Sequence, residues 1–113
     1  MQVIEKPWGK EEILELNGIY LVKRLTMHKG HKCSIQYHKK KKETVYVLEG
    51  ILKIYVGQDA KSLKTITLKK DDFITVLPGI VHRMEAVENS IYLESSTPEL
   101  DDVVRIQDEY GRK

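Results

Sequence analysis

The chain has a single cysteine, Cys33, so no internal disulfide can form. That fits a reducing compartment. No basic residue elsewhere makes a convincing activating partner for a nucleophilic thiol, and Cys33 reads as a small buried hydrophobe. No apolar run approaches the ~20 residues that cross a bilayer. Charge arrives by Glu5, which interrupts any signal-peptide core. The expected location is therefore the cytoplasm, with no membrane partner. An excess of one charge is also missing: 19 Lys and Arg against 17 Asp and Glu leave a net +2. With no RNA- or DNA-binding motif alongside, that balance predicts no nucleic-acid partner. Repeats and linkers are absent too, and the only low-complexity stretch is Lys39-Lys40-Lys41-Lys42.

What is present is strand periodicity in a chain of 113 residues, a length that predicts one domain over 1–113. Residues 10–16 run into Asn17-Gly18 and then 19–28, the pattern of a short hairpin. Further strands are expected at 33–38, 43–49, 51–56, 63–68, 73–77, 81–86 and 91–95. Turns fall between them at Gly50, Gly57-Gln58-Asp59, Lys70-Asp71-Asp72 and Pro78-Gly79. Eight or nine short strands at this spacing describe an all-β sandwich or barrel. Residues 99–113 are expected to form a short helix or an extended arm, with Asp101-Asp102 placed to cap a helix start.

Four polar side chains disturb the apolar alternation. Gln36 and His38 are two apart in one strand and share a face. Glu43 heads the inward row Glu43, Val45, Val47, and His82 follows Pro78-Gly79 at the start of a later strand. Polar groups inside a barrel need partners or a metal. Two imidazoles, an amide oxygen and a carboxylate make a mixed N/O set that suits one divalent ion. Zinc is the first expectation, but the residue types alone do not choose among Zn, Mn, Fe, Co and Ni.

The two runs that carry these residues are Gly30…Gln36-x-His38…Glu43…Gly50 and Pro78-Gly79-x-x-His82. They resemble the two motifs of the cupin superfamily, with Gln36 replacing the first histidine. That replacement resembles the phosphomannose isomerases, whose metal is held by Gln, His, Glu and His. Longer landmarks are Lys6-Pro7-Trp8-Gly9, Val22-Lys23-Arg24, Ser34-Ile35-Gln36-Tyr37-His38, Leu77 to Arg83, and Asp101 to Arg112. Together they resemble the C-terminal isomerase domain of the type II, bifunctional mannose-6-phosphate isomerase/GDP-mannose pyrophosphorylases. The sequence departs from that pattern at Lys6, at the four lysines after His38 and at Leu100, and residues 1–113 are expected to hold no pyrophosphorylase domain.

The resemblance implies a cupin (double-stranded β-helix, jelly-roll) barrel, a metal held by Gln36, His38, Glu43 and His82, a phosphorylated sugar as partner, and a homodimer. It implies interconversion of mannose 6-phosphate and fructose 6-phosphate. That reaction needs a base, an electrophile and a phosphate anchor. Glu94 matches an acidic position of the family and is the candidate base. Arg105, in the terminal motif, and Lys23 are candidates for binding phosphate or stabilising an enediolate. The departures motivate a second reading, a non-catalytic or differently specialised cupin that binds a sugar or nucleotide sugar in glycan biosynthesis. A metal-dependent dioxygenase is a third, and Gln36 argues against it.

Several residues carry lesser expectations. Arg83, one position from His82, should face away from the metal and pair with the C-terminal arm, at Asp101 or Asp102. The lysine run should be a solvated loop or, failing that, an electropositive rim that steers phosphorylated ligands. Trp8 and Tyr110 should staple the termini to the barrel. Tyr46 faces outward and could serve a dimer interface, as could an N-terminal strand added to a neighbour's sheet.

Overall fold

A computed structural model describes residues 1–111, so Arg112 and Lys113, the end of the terminal motif, lie outside the described residues. Among the described residues eleven strands are present in order: β1 (Gln2–Lys6), β2 (Gly9–Leu16), β3 (Leu21–Met27), β4 (Ile35–Tyr37), β5 (Glu43–Glu49), β6 (Leu52–Gly57), β7 (Lys64–Leu68), β8 (Phe73–Val76), β9 (Val81–Ala86), β10 (Ser90–Ser96) and β11 (Val104–Gln107). They form a six-stranded sheet, β1-β2-β3-β10-β5-β8, and a five-stranded sheet, β11-β4-β9-β6-β7. Every strand pair is antiparallel. No helix of the described residues is long and apolar enough to cross a membrane.

Alternation explains how the sheets face each other. In β5 Glu43, Val45 and Val47 are buried, while Thr44, Tyr46 and Leu48 are more exposed or only partly buried. In β3 Leu21, Lys23, Leu25 and Met27 are buried. Leu52 and Ile54 of β6 and Met84 and Ala86 of β9 close the core from the other sheet. Each such side chain removed from water contributes roughly 1.5–3 kcal/mol for the larger apolar types. That core must outweigh the cost of holding Lys23, Glu43, His82 and Glu94 inside the same shell.

Glycine is needed where another backbone approaches closely, as at Gly9 and Gly50. Gly9 follows Pro7-Trp8 in the tight β1–β2 connection, and a Cβ there would stand 1.8 Å from the Thr26 carbonyl oxygen. Gly50, at φ +88°, ends β5 where a Cβ would stand 2.4 Å from the Asn89 carbonyl oxygen.

Some local expectations need correction. The β2–β3 hairpin has a four-residue loop, 17–20, and β3 starts at Leu21 rather than 19. Asn17 causes the difference: its Oδ1 accepts the amides of Ile19 (2.8 Å) and Tyr20 (3.0 Å), which removes both from the ladder. Residues 2–6 form a strand that pairs with β2 of the same chain, at the edge of the sheet. The C-terminal arm is extended, not helical. Asp101-Asp102 cap no helix, because β11 pairs with β4.

Candidate metal centre and its cavity

Each sheet delivers part of one constellation. From the six-stranded sheet, Glu43 opens β5 and points inward with Val45. From the five-stranded sheet, Gln36 of β4 pairs directly with His82 of β9 and, on its other side, with Arg105 of β11. His38 stands one residue beyond β4. His38, Glu43 and His82 are all buried, and one ligand atom from each lies within 4.8 Å of the others.

The imidazoles are oriented by main-chain carbonyls. His38 Nδ1 donates to the Asp102 carbonyl oxygen at 2.5 Å, and His82 Nδ1 donates to that of Ile80 at 3.0 Å. Both Nε2 atoms therefore turn to Glu43 Oε1, at 3.1 Å from His38 and 3.3 Å from His82. The buried His82 Nε2 has no hydrogen bond of acceptable geometry among the described residues. With Nδ1 protonated, both Nε2 atoms and the carboxylate face one point, an arrangement that calls for a proton or a metal ion between them. The donor set thus fits a divalent metal. Burial would raise the Glu43 pKa, but its contacts with His38 and His82 outweigh that and hold it well below the carboxylate range. Burial disfavours charge on His82, yet Glu43 and the Ile80 carbonyl prevail and its pKa is raised.

Gln36 shares the cavity with His38 and Glu43, and its Oε1 accepts the Ser34 hydroxyl at 2.6 Å. The cavity measures about 410 Å³. Glu94, Lys23 and Arg105 all line it. Glu94 lies opposite Lys23 on β3 and Val45 on β5. Burial first, and the Glu43 charge second, push its pKa up to about 7. Lys23 is buried 3.4 Å from Glu11; burial opposes its charge, but Glu94 and Glu11 outweigh it and raise its pKa. A carboxyl near neutrality between cations and a metal-competent cluster is equipped to move a proton.

Other expectations fare unevenly. Lys39, Lys40 and Lys42 are exposed, as a solvated loop requires, but Lys41 is 4% exposed and lines the cavity. A run of like charge conceals such a residue, because its burial depends on main-chain contacts far away in sequence. Trp8 is a wall of the cavity, whereas Tyr110 does tie the arm down, stacking on His31 with its hydroxyl 2.7 Å from Nδ1. Arg83 pairs with the arm at Glu109 (3.2 Å), not at Asp101 or Asp102, and donates to the Cys33 carbonyl at 2.9 Å. Cys33 is buried, with its thiol pushed up to about 12 by burial. Tyr46 faces outward and its hydroxyl donates to Asp71 at 2.7 Å.

Comparison with known proteins agrees with this architecture. The sequence model of the family described as mannose-6-phosphate isomerase C-terminal matches residues 1–108. The mannose-1-phosphate guanylyltransferase of Escherichia coli K12 is 31% identical over 119 residues, covering 96% of this chain and 23% of that protein. The chain therefore spans less than a quarter of the length of that relative. KdgF from a Halomonas species superposes with a TM-score of 0.78 at 14% identity, covering 89% of this chain and 91% of that one. Bacillus subtilis oxalate decarboxylase, described with Mn(II) centres, superposes with a TM-score of 0.80 at 18% identity, covering 94% of this chain and 30% of that one. The two structures share the cupin fold, a double-stranded β-helix, with the two sheets found here. With that fold and a family match over nearly its whole length, the chain belongs to the mannose-6-phosphate isomerase C-terminal family.

Proposed function

We propose that this domain is a metal-dependent isomerase of a phosphorylated sugar, exchanging mannose 6-phosphate and fructose 6-phosphate. The observation that carries the reading is Glu94: a buried carboxyl with a pKa of about 7, lining the same cavity as the His38–Glu43 pair. Aldose–ketose exchange moves one proton between adjacent carbons. In this reading Glu94 removes that proton from one carbon and returns it to the next. Lys23 and Arg105 hold the phosphate or the negative charge that develops on the sugar oxygens. Gln36, His38, Glu43 and His82 would hold a divalent ion, zinc first and Mn, Fe, Co or Ni as alternatives, which supplies polarisation of the sugar's carbonyl and hydroxyl oxygens. The exposed edge of β1 suits a homodimer, and the cytoplasm is where such substrates would be met.

The test is a coupled assay on the purified chain loaded in turn with Zn, Mn, Co and Ni. Turnover that disappears in Glu94→Gln while bound metal remains supports the reading. No turnover with any metal, beside a working control enzyme, removes it. A second reading follows from the guanylyltransferase relative, of which this chain matches only 23%: a sugar- or nucleotide-sugar-binding module without turnover. Thermal stabilisation by a nucleotide sugar and not by a sugar phosphate would favour it.

A further inference from the structure

Asp102 stands where the C-terminal arm turns into β11, and its two oxygen-bearing groups reach in different directions. Its main-chain carbonyl accepts His38 Nδ1–H at 2.5 Å. Its carboxylate accepts three successive main-chain amides: Lys39 to Oδ1 at 3.0 Å, Lys40 to Oδ2 at 2.7 Å and Lys41 to Oδ2 at 2.9 Å. One residue of the arm thus grips both a metal-competent histidine and the loop that follows it. That loop is four residues long and ends at Glu43.

The consequence is visible in Lys41. Four consecutive lysines left to themselves repel and stay in water. Here Lys39, Lys40 and Lys42 do so, while Lys41 is turned into the cavity wall. A buried ammonium is costly; the charges of Glu43 and Glu94 offset part of that cost, and a main chain held in place keeps the side chain turned toward them. Charge-assisted hydrogen bonds from a carboxylate to several amides are the strong kind that can hold it.

We propose that Asp102 is a positioning residue for this centre: by gripping the 39–41 amides it holds its own carbonyl against His38 and Lys41 in the cavity. Metal affinity and affinity for an anionic substrate then depend on a carboxylate that need touch neither. The metal part rests on the reading above that His38 is a ligand. Partners outside the ligand set that orient ligating histidines typically change metal affinity 10–100-fold when mutated.

The experiment uses the full chain with Asp102→Ala and Asp102→Asn. Asp59→Ala is the control, since Asp59 is an exposed turn carboxylate that binds the Lys61 amide. Three quantities are read: Zn²⁺ affinity against a chromophoric chelator, the ring N–H signals of His38 and His82 by ¹⁵N NMR in the metal-free protein, and the split between KM and kcat. Asp102→Ala is expected to lower Zn²⁺ affinity by ~10–100-fold, to weaken protection of the His38 Nδ1–H while sparing that of His82, and to raise KM more than it lowers kcat. Asp102→Asn, which keeps one acceptor and brings an NH₂ against an amide, should fall between. Asp59→Ala should match the parent in all three. If both Asp102 variants melt earlier yet bind Zn²⁺ like the parent, with the His38 signal in place, Asp102 is only a staple and the proposal falls. If the parent itself binds no metal, the metal reading fails separately. The His38 signal then decides, and an unchanged signal in Asp102→Ala overturns the positioning role.

Discussion

Adding zinc to the metal-free chain should raise its melting temperature by about 10 °C, a size that follows from linkage between binding and folding. The ligand atoms of His38, Glu43 and His82 already lie within 4.8 Å of one another, so binding requires no new strand arrangement. At free metal about 100 times Kd, mass action adds about 2.7 kcal/mol to the folded state. At this chain length one kcal/mol moves the midpoint by roughly 4 °C. Each further tenfold in metal adds about 1.4 kcal/mol. Protons compete for the same site. In the metal-free protein the His82 pKa is raised, so its contact with Glu43 stabilises fully below the unfolded value and is lost as pH rises through the folded one. Metal needs the neutral imidazole, so the zinc response should grow from pH 6 to pH 8. Scanning calorimetry with Zn, Mn, Co, Ni and a chelator measures it, with His82→Ala alongside. A midpoint that stays put with every metal, or a His82→Ala variant that responds as the parent does, refutes the argument.

Four further outcomes are expected. Because the Glu94 pKa is about 7 when folded and about 4.5 when free, its ionisation opposes folding as pH rises between those values. Glu94→Gln should therefore be more stable than the parent at pH 8, by an amount on the order of 3 kcal/mol, with no gain at pH 4, as urea unfolding at both would show. Turnover should fall as pH drops through the neutral range, since the base must be ionised, and a cation on Glu43 would move that fall to lower pH. Gly50→Ala should cost about 1–3 kcal/mol for the left-handed backbone alone, with the contact at Asn89 adding to it, read as a lower urea midpoint. Tyr92→Phe should be neutral or stabilising, because the buried Tyr92 hydroxyl has no hydrogen-bond partner among the described residues. A loss above about 2 kcal/mol would contradict that.

The parts of this fold that could be read from sequence are those governed by near neighbours. The row Glu43, Val45, Val47 shows its inward face by alternation alone, and β5 occupies the expected 43–49. The pairing of Gln36 with His82 is not legible in sequence; Gln36 stands out by sharing a face with His38, and His82 by its place after Pro78-Gly79. What sequence could not show depends on distant contacts. β11 has two charged or amide residues among its four and is a strand only because β4 lies beside it. Lys41 is indistinguishable from its neighbours until Asp102, some sixty positions later, takes hold of the loop. Arg83 meets the arm as its place beside His82 implies, but through Glu109 rather than either aspartate; Asp102 is already engaged with three amides.

β11 occupies the margin of its sheet, with β4 as its sole neighbour there. It carries Arg105 into the cavity and begins two residues after Asp102. The segment can peel away without breaking any ladder among the strands that hold the apolar interior. Amide hydrogens of β11 should accordingly exchange far sooner than those of β5 or β9. Chelator would then strip the ion on the timescale of this fraying, and long before the barrel itself comes apart.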